Sequence, residues 1–314
     1  MRFCRFDDGR LGWVEDPSTP QNNVPLGAGA VVKDVTGALD VLPAYRYPLP
    51  THDVLVANLD AVAARARALA PSTPAKSLDC VKLLSPVANP GKIIAAPVNY
   101  EKHLNEVRTD DQLSANNPGN TLTIHKAGLF LKATSSLVGP GQGVAIRRPE
   151  RRTDHEVELV IIIGRTADRV SRADAMAYVA GYTIGLDISI RGSEDRSFRK
   201  SADSYSVLGP WMVTADEIAR PDALDLQLEV NGTVRQQSNT RHMILSVAQL
   251  VELASSIYTL HPGDVIFTGT PEGVSPIEAG DRITATIEHI GSMEVVTRAA
   301  DPVAATAMTA PAQA

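Results

Sequence analysis

The period of the apolar residues changes several times along the chain, and each change predicts an element. In HDVLVANLDAVAARARALA (52–70) leucines and valines recur at three- and four-residue spacing, which predicts a helix. Residues 1–36 mix short alternating runs with Gly, Pro and Asn, as in VPLGAGAVVKDV, and predict small strands and hairpins. PSTPAKS (71–77) reads as a linker, so a small first unit spans 1–85. From residue 86 the strand-like runs are denser: 92–98, 128–133, 156–163, 181–189, 225–230 with a turn at Asn231-Gly232, 264–268 and 282–288. Helices are predicted at 171–180, where Ser171 and Asp174 have capping-box spacing, and at 246–260, where Ser246 and Gln249 repeat it before His261-Pro262-Gly263. Strands outnumber helices without regular alternation, which predicts a β-rich α+β fold and not a doubly wound sheet. This second unit covers 86–300. The tail 301–314 has no period and is expected to be disordered.

Within this pattern DHEVELVIII (154–163) stands out. Side chains alternate across a strand, so Glu156 and Glu158 share a face with Val160 and Ile162, while Val157, Leu159, Ile161 and Ile163 line the other. Two carboxylates about 4 Å apart repel by roughly 4 kcal/mol at an effective dielectric near 20, before any desolvation cost. A divalent cation between them offsets that, as does one carboxyl with a raised pKa. The alternative is an exposed strand end whose glutamates face water or Arg151 and Arg152.

Composition narrows the function classes. The chain has 314 residues, 44% hydrophobic and 21% charged, as expected of a globular protein with a large core. A net charge of −6 and 4% aromatic residues argue against a nucleic-acid partner. The first residues, MRFCRFDDGRLGW, lack an apolar signal-peptide run, and no stretch approaches the roughly eighteen apolar residues of a membrane span. A soluble cytoplasmic protein without a membrane partner is the expectation. Cys4 and Cys80 are far apart and outside any metal-binding spacing, so both read as small hydrophobes.

Other stretches carry candidate chemistry. Asp187 ends the apolar run of GYTIGLDISIRG, where it serves as a strand-terminating turn residue or completes an all-carboxylate site with Glu156 and Glu158. Hard oxygen donors suit Mg²⁺, Mn²⁺ or Ca²⁺ better than zinc. In NYEKHLNEV (99–107), if the segment is helical, His103 and Glu106 stand at i and i+3, a spacing that lets the carboxylate orient an imidazole base; surface helices produce it too. RGSEDRSFRKSADSYSVLGPW (191–211) is rich in Arg and Lys: Arg191 and Lys200 can hold an anion, or the stretch is a solvated loop with internal ion pairs. PGDVIFTGTPEGV (262–274) runs a strand into a loop that can offer backbone N–H groups or be an ordinary turn, and GPGQG (139–143) is too short for a nucleotide fingerprint.

The order of these signals is more specific than any one of them. NYxxHxxE (99–106), LFLK (129–132), DHEVEL (154–159), GLDxSxR (185–191), RKSxDxxxxLGPW (199–211) and GDVIFTGTPEGV (263–274) together resemble the fumarylacetoacetate hydrolase family over about residues 86–300. The resemblance implies a catalytic core built as a mixed β-sheet roll, a small N-terminal region and a homodimer. It implies Glu156, Glu158 and Asp187 as ligands of Mg²⁺ or Mn²⁺, with Ca²⁺ an in vitro substitute. His103 and Glu106 match the dyad that activates water, on a segment that orders as a lid. Lys200 matches a lysine that contacts substrate or the developing enolate, Arg191 an arginine beside the site, and Thr270 a contact to substrate carboxylate. Lys132 is a further candidate for the anion pocket. Glu194 departs from the pattern, standing where several members carry Gln, and is expected to change which substrate tail is accepted.

The implied partner is a small anionic keto acid. A 2,4-diketo acid chelates the cation, water activated by His103 and Glu106 adds to the distal carbonyl, and the C–C bond breaks to give pyruvate and a carboxylic acid. The same site suits an oxaloacetate-type decarboxylase or a 2-hydroxydienoate isomerase or hydratase. A metal-stabilised binding protein without turnover is the non-enzymatic alternative. Residues 107–127 are expected to shape the lid and pocket.

Overall fold

A computed structural model describes residues 1–15, 29–115 and 118–300. Part of the VPLGAG stretch and the tail 301–314 lie outside the described residues.

All seven residues of the central strand Val157–Ile163 are buried. Its alternation divides between two cores, as a run apolar on both faces requires. Val157, Leu159, Ile161 and Ile163 enter one core together with Leu226, Leu228, Ile283, Ile287 and the helix residues Val247, Leu250, Val251 and Ala254. Val160 and Ile162 enter the other, which is closed by Val62, Ala63 and Ala66 of the helix Leu59–Leu69. Glu156 and Glu158 continue the Val160–Ile162 face past the end of that second core.

The central strand lies inside a mixed sheet of 12 strands. From one edge the order is Ala75–Ser77, Val31–Asp34, Arg10–Glu15, Arg2–Phe6, Ser206–Thr214, Val179–Asp187, Val157–Ile163, Val265–Phe267, Ile93–Ala95 and Phe130–Lys132; Leu83–Leu84 and Leu137–Val138 pair at its side. Val265–Phe267 runs parallel to Ile93–Ala95, whereas both neighbours of the central strand are antiparallel to it. Residues 1–85 are stitched into the same sheet through Phe3 opposite Met212. A second sheet of 5 strands, in the order Thr233–Asn239, Asp225–Val230, Arg282–Ile287, Gly291–Ala299 and Val144–Ile146, turns the buried face of its alternating strands onto the first core. The β-rich α+β architecture is the one predicted.

Several local expectations change. The run 171–180 is not a helix: Ser171 Oγ donates to Asp174 Oδ2 at 2.7 Å, a single 3-10 turn follows at Ala175–Tyr178, and Val179 opens a strand. Pairing of Val179 with Ile163 and burial of Tyr182 outweigh a cap-like spacing. Residues 75–77 of the expected linker pair with Val31–Lys33. The 52–70 helix divides at Asn58, with Asp53 accepting from Val56 N–H at the start of the first piece. Ser206–Thr214 is a fully buried strand that its Gly-Pro pair hid. Cys4 is buried as expected, but Cys80 is exposed and contributes nothing to a core. No helix among the described residues is long and apolar enough to cross a membrane.

Candidate metal centre and active site

Strand register brings the three candidate ligands together. Val157 pairs with Leu186 and Glu158 with Gly185, so the start of one strand meets the end of its antiparallel neighbour, and Asp187 N–H donates to Glu156 O at 2.9 Å. Gly185 is required there, because a Cβ would lie 2.5 Å from Val160 Cγ2 and 2.6 Å from Phe267. Ligand oxygens of Glu156, Glu158 and Asp187 lie within 4.8 Å of one another, and all three residues are buried. The alternatives of an exposed strand end and a lone turn aspartate are thereby excluded.

Their charges are compensated unequally. Lys200 Nζ donates to Glu156 Oε2 at 2.7 Å, Asp187 Oδ2 at 2.8 Å and Ser189 Oγ at 2.5 Å, using all three ammonium protons. Lys132 Nζ donates to Asp187 Oδ1 at 2.5 Å and to Tyr205 O at 2.7 Å. Arg191 spans Glu156 Oε1 and Asp154 Oδ2, each at 2.7 Å. Burial alone would raise the Glu156 carboxyl, but Lys200 and Arg191 outweigh it and hold the group well below the usual carboxylate range. Burial pushes Glu158 the other way, well above that range, and the nearby Asp187 and Glu156 add to the push. Among the described residues only Gly269 N–H, at 2.6 Å, donates to Glu158. Asp154, Glu156 and Asp187 each pair with a lysine or arginine, whereas Glu158 has no ion pair among the described residues. An all-oxygen donor set with one uncompensated member fits a hard divalent cation.

The dyad comes from a different element. In the helix Glu101–Thr109, His103 Nδ1 meets Glu106 Oε2 at 2.8 Å, and Glu106 Oε1 accepts from Gly273 N–H at 3.0 Å. A carboxylate on Nδ1 assigns the proton to that nitrogen and leaves Nε2 as the basic one. The buried imidazole is near enough to Glu156 for its charge to act on that carboxyl. Asn99 fixes the entry to the helix: its amide donates to Leu245 O at 2.9 Å and Thr268 O at 2.8 Å, and its oxygen accepts from Leu245 N–H at 2.7 Å. Asn99 therefore joins the dyad helix to the loop whose Gly269 holds Glu158.

The remaining candidates have other partners. The Thr270 hydroxyl donates to Val157 O at 2.9 Å and accepts from Gln236 at 2.8 Å, so its proton is committed to the fold. Lys132 is enclosed against Asp187, and burial lowers its pKa while Asp187 raises it; it positions a carboxylate instead of lining an open anion pocket. Glu194 is exposed and forms a two-pronged pair with Arg151, at 2.8 Å for each bond. Sequence reasoning missed Asp154, Ser189 and the Gly269 N–H. Asp154 and Ser189 are fixed letters of DHEVEL and GLDxSxR, and Gly269 lies in the loop that can offer backbone N–H groups, but whom each meets becomes visible only through pairing distant in sequence.

Comparison with known proteins agrees with this arrangement. The model of the fumarylacetoacetate (FAA) hydrolase C-terminal family matches residues 92–297. The chain is 54% identical over 298 residues to maleylpyruvate hydrolase of Aquipseudomonas alcaligenes, covering 95% of this chain and 99% of that protein. It is 34% identical over 305 residues to 2,4-didehydro-3-deoxy-L-rhamnonate hydrolase of Sphingomonas sp. (strain SKA58), covering 93% and 94%. A solved structure of maleylpyruvate hydrolase from Sphingobium sp. SYK-6, in complex with manganese(II) ion and pyruvate, superposes with a TM-score of 0.77 at 37% identity, over 96% of this chain and 100% of that one. Fold, buried carboxylates and relatives agree, and the chain belongs to the fumarylacetoacetate hydrolase family.

Proposed function

We propose that this protein is a divalent-metal-dependent hydrolase of 2,4-diketo acids, cleaving an acylpyruvate to pyruvate and a carboxylic acid, with maleylpyruvate as the candidate substrate. The observation that carries the proposal is a hydrogen-bonded His103–Glu106 dyad beside a buried, incompletely compensated set of three carboxylates. The maleylpyruvate hydrolase relatives, one of them solved with manganese and pyruvate, support the choice of substrate.

Glu156, Glu158 and Asp187 would hold Mg²⁺ or Mn²⁺, which when bound supplies Lewis-acid polarisation and a chelating seat for an α-keto acid. His103 Nε2 takes a proton from water while Glu106, fixed by Gly273, keeps the ring oriented and stabilises the imidazolium. The water oxygen adds to the distal keto carbon. The bond from that carbon to the central methylene then breaks, its electron pair stays on the methylene carbon, and a proton returned by His103 completes pyruvate. Lys200 stabilises the charge that develops there by exchanging one of its three hydrogen bonds for substrate. The Thr270 backbone N–H, unlike its hydroxyl, has no partner among the described residues and serves as the contact for the pyruvyl carboxylate. A cytoplasmic homodimer completes the proposal by family resemblance, and light scattering on purified protein tests the assembly.

Purified protein incubated with acetylpyruvate, maleylpyruvate or oxaloacetate and followed by proton NMR tests the reaction. Pyruvate formed from an acylpyruvate, and lost on chelation, is expected. Turnover of oxaloacetate with both acylpyruvates untouched would overturn the proposal.

A further inference from the structure

The arginines around the site differ in what they hold. Arg191 is taken by Glu156 and Asp154, Arg151 by Glu194, and Arg152 by Asp154 with Gln112 beyond it. Arg199 donates to Glu194 O and Ile190 O. Arg196 is the exception. It is half-buried, makes one side-chain hydrogen bond, Nη2 to Gly119 O at 2.8 Å, and has no carboxylate within ion-pair distance among the described residues. The adjacent Asp195 does not serve it, since its Oδ1 accepts from Ser197 N–H and Oγ at 2.8 and 2.6 Å.

Its position is defined by the turn it opens. Lys200 N–H donates to Arg196 O at 3.0 Å, so the two side chains stand one helical turn apart on one face, about 5.4 Å along the axis. Lys200 reaches the carboxylate cluster. Arg196, one turn before it, is tied to Gly119 in the segment that follows the dyad helix and is near enough to Glu156 for the two charges to act on each other.

Resting on the acylpyruvate reading above, we propose that Arg196 is the specificity residue that receives the second carboxylate of a dicarboxylic acylpyruvate. A half-buried guanidinium with most of its five donors unused can form a two-pronged pair with a carboxylate, and excluding water strengthens that pair. Burial lowers its pKa, with Asp195 and Glu156 pulling upward, and the guanidinium stays cationic throughout the working range.

The test compares maleylpyruvate, which carries the second carboxylate, with acetylpyruvate, which lacks it, in wild type, Arg196→Gln and Arg196→Lys. The ratio of kcat/KM for maleylpyruvate to that for acetylpyruvate is expected to fall about 100-fold in Arg196→Gln, mainly through KM, and to be partly restored in Arg196→Lys. An unchanged ratio overturns the proposal: if both activities fall together, Arg196 acts through Gly119 on the covering segment, and if neither falls it has no part in binding. Wild-type protein that cleaves neither compound overturns the acylpyruvate reading, and this assignment with it.

Discussion

The floor of the site and the segment above it are built by opposite means. In the floor, Glu156, Glu158, Asp187, Lys200 and Arg191 come from strand ends and one short turn, and each is fixed by buried hydrogen bonds. The segment above it, residues 101–115 and 118–121, carries the proposed base His103 on the first of two short helices, Glu101–Thr109 and Asp111–Ser114. It is held by a small apolar cluster of Val107, Leu113 and Val274 and by polar ties at its rim, Glu106 to Gly273, Arg152 to Gln112 and Arg196 to Gly119. Charges costly to bury are arranged before substrate arrives, which is the condition for electrostatic preorganisation. The proposed base rides on a piece whose apolar cluster holds only three residues, where local opening costs less than in the two large cores. Cation binding and water activation should therefore be separable by mutation.

The largest separation is expected at Glu158→Gln. The amide keeps an acceptor for Gly269 but removes the uncompensated charge, so activity should fall by more than about 100-fold while metal-free protein gains about 1–2 kcal/mol in urea unfolding at pH 8. Loss of both activity and stability would show that the floor does not carry excess negative charge. Next comes His103→Asn, for which kcat should drop about 10²–10⁴-fold with little change in melting temperature. A drop of the same size for oxaloacetate turnover, which needs no attacking water, would contradict the assigned role. Asn99→Leu joins the two regions in one residue: loss of three buried hydrogen bonds should cost about 3 kcal/mol and lower kcat even with the dyad intact. Val107→Ala should cut kcat/KM several-fold with under about 1 kcal/mol lost globally, because its small cluster is separate from the two main cores and joins the covering segment only to Val274.

The smallest effect at neutral pH concerns Cys4, in the sheet but far from the chemistry. Burial pushes its thiol from 9.0 up to about 12, so the unfolded chain releases that proton first as pH rises. Its contribution is complete below pH 9 and is lost toward pH 12, at about 1.4 kcal/mol per pH unit. The stability difference between wild type and Cys4→Ala should shrink over that window. At pH 8 a thiol reagent should modify Cys80 alone, with or without metal, if the sheet stays closed while the covering segment moves.

The chemistry-bearing residues were more legible than the framework around them. Glu156 and Glu158 announced themselves because period-2 alternation placed two carboxylates on a face that continues into Val160 and Ile162. His103 and Glu106 did so through helical spacing, and family resemblance joined both to Asp187 and Lys200. What the residues could not show was who meets whom across the chain. Pairing of Arg2–Phe6 with Ser206–Thr214 and the Gly269 bond to Glu158 span the sequence without a local mark. The run at 171–180 shows the reverse error, a local cap signal overruled by strand pairing. Thr270, Lys132 and Glu194 matched by position, yet in the fold their side chains go to Val157, Asp187 and Arg151. Motif position fixes which residue stands near a site, while hydrogen-bond partners decide whether that residue is available to a ligand.

Calorimetric titration of metal-free wild type, Glu158→Gln and His103→Asn with Mn²⁺ tests the division between floor and base most directly. One Mn²⁺ per chain is expected, with similar affinity in wild type and His103→Asn and a loss of at least about 100-fold in Glu158→Gln. Equal weakening in His103→Asn and Glu158→Gln would contradict it, because the base would then belong to the metal site itself.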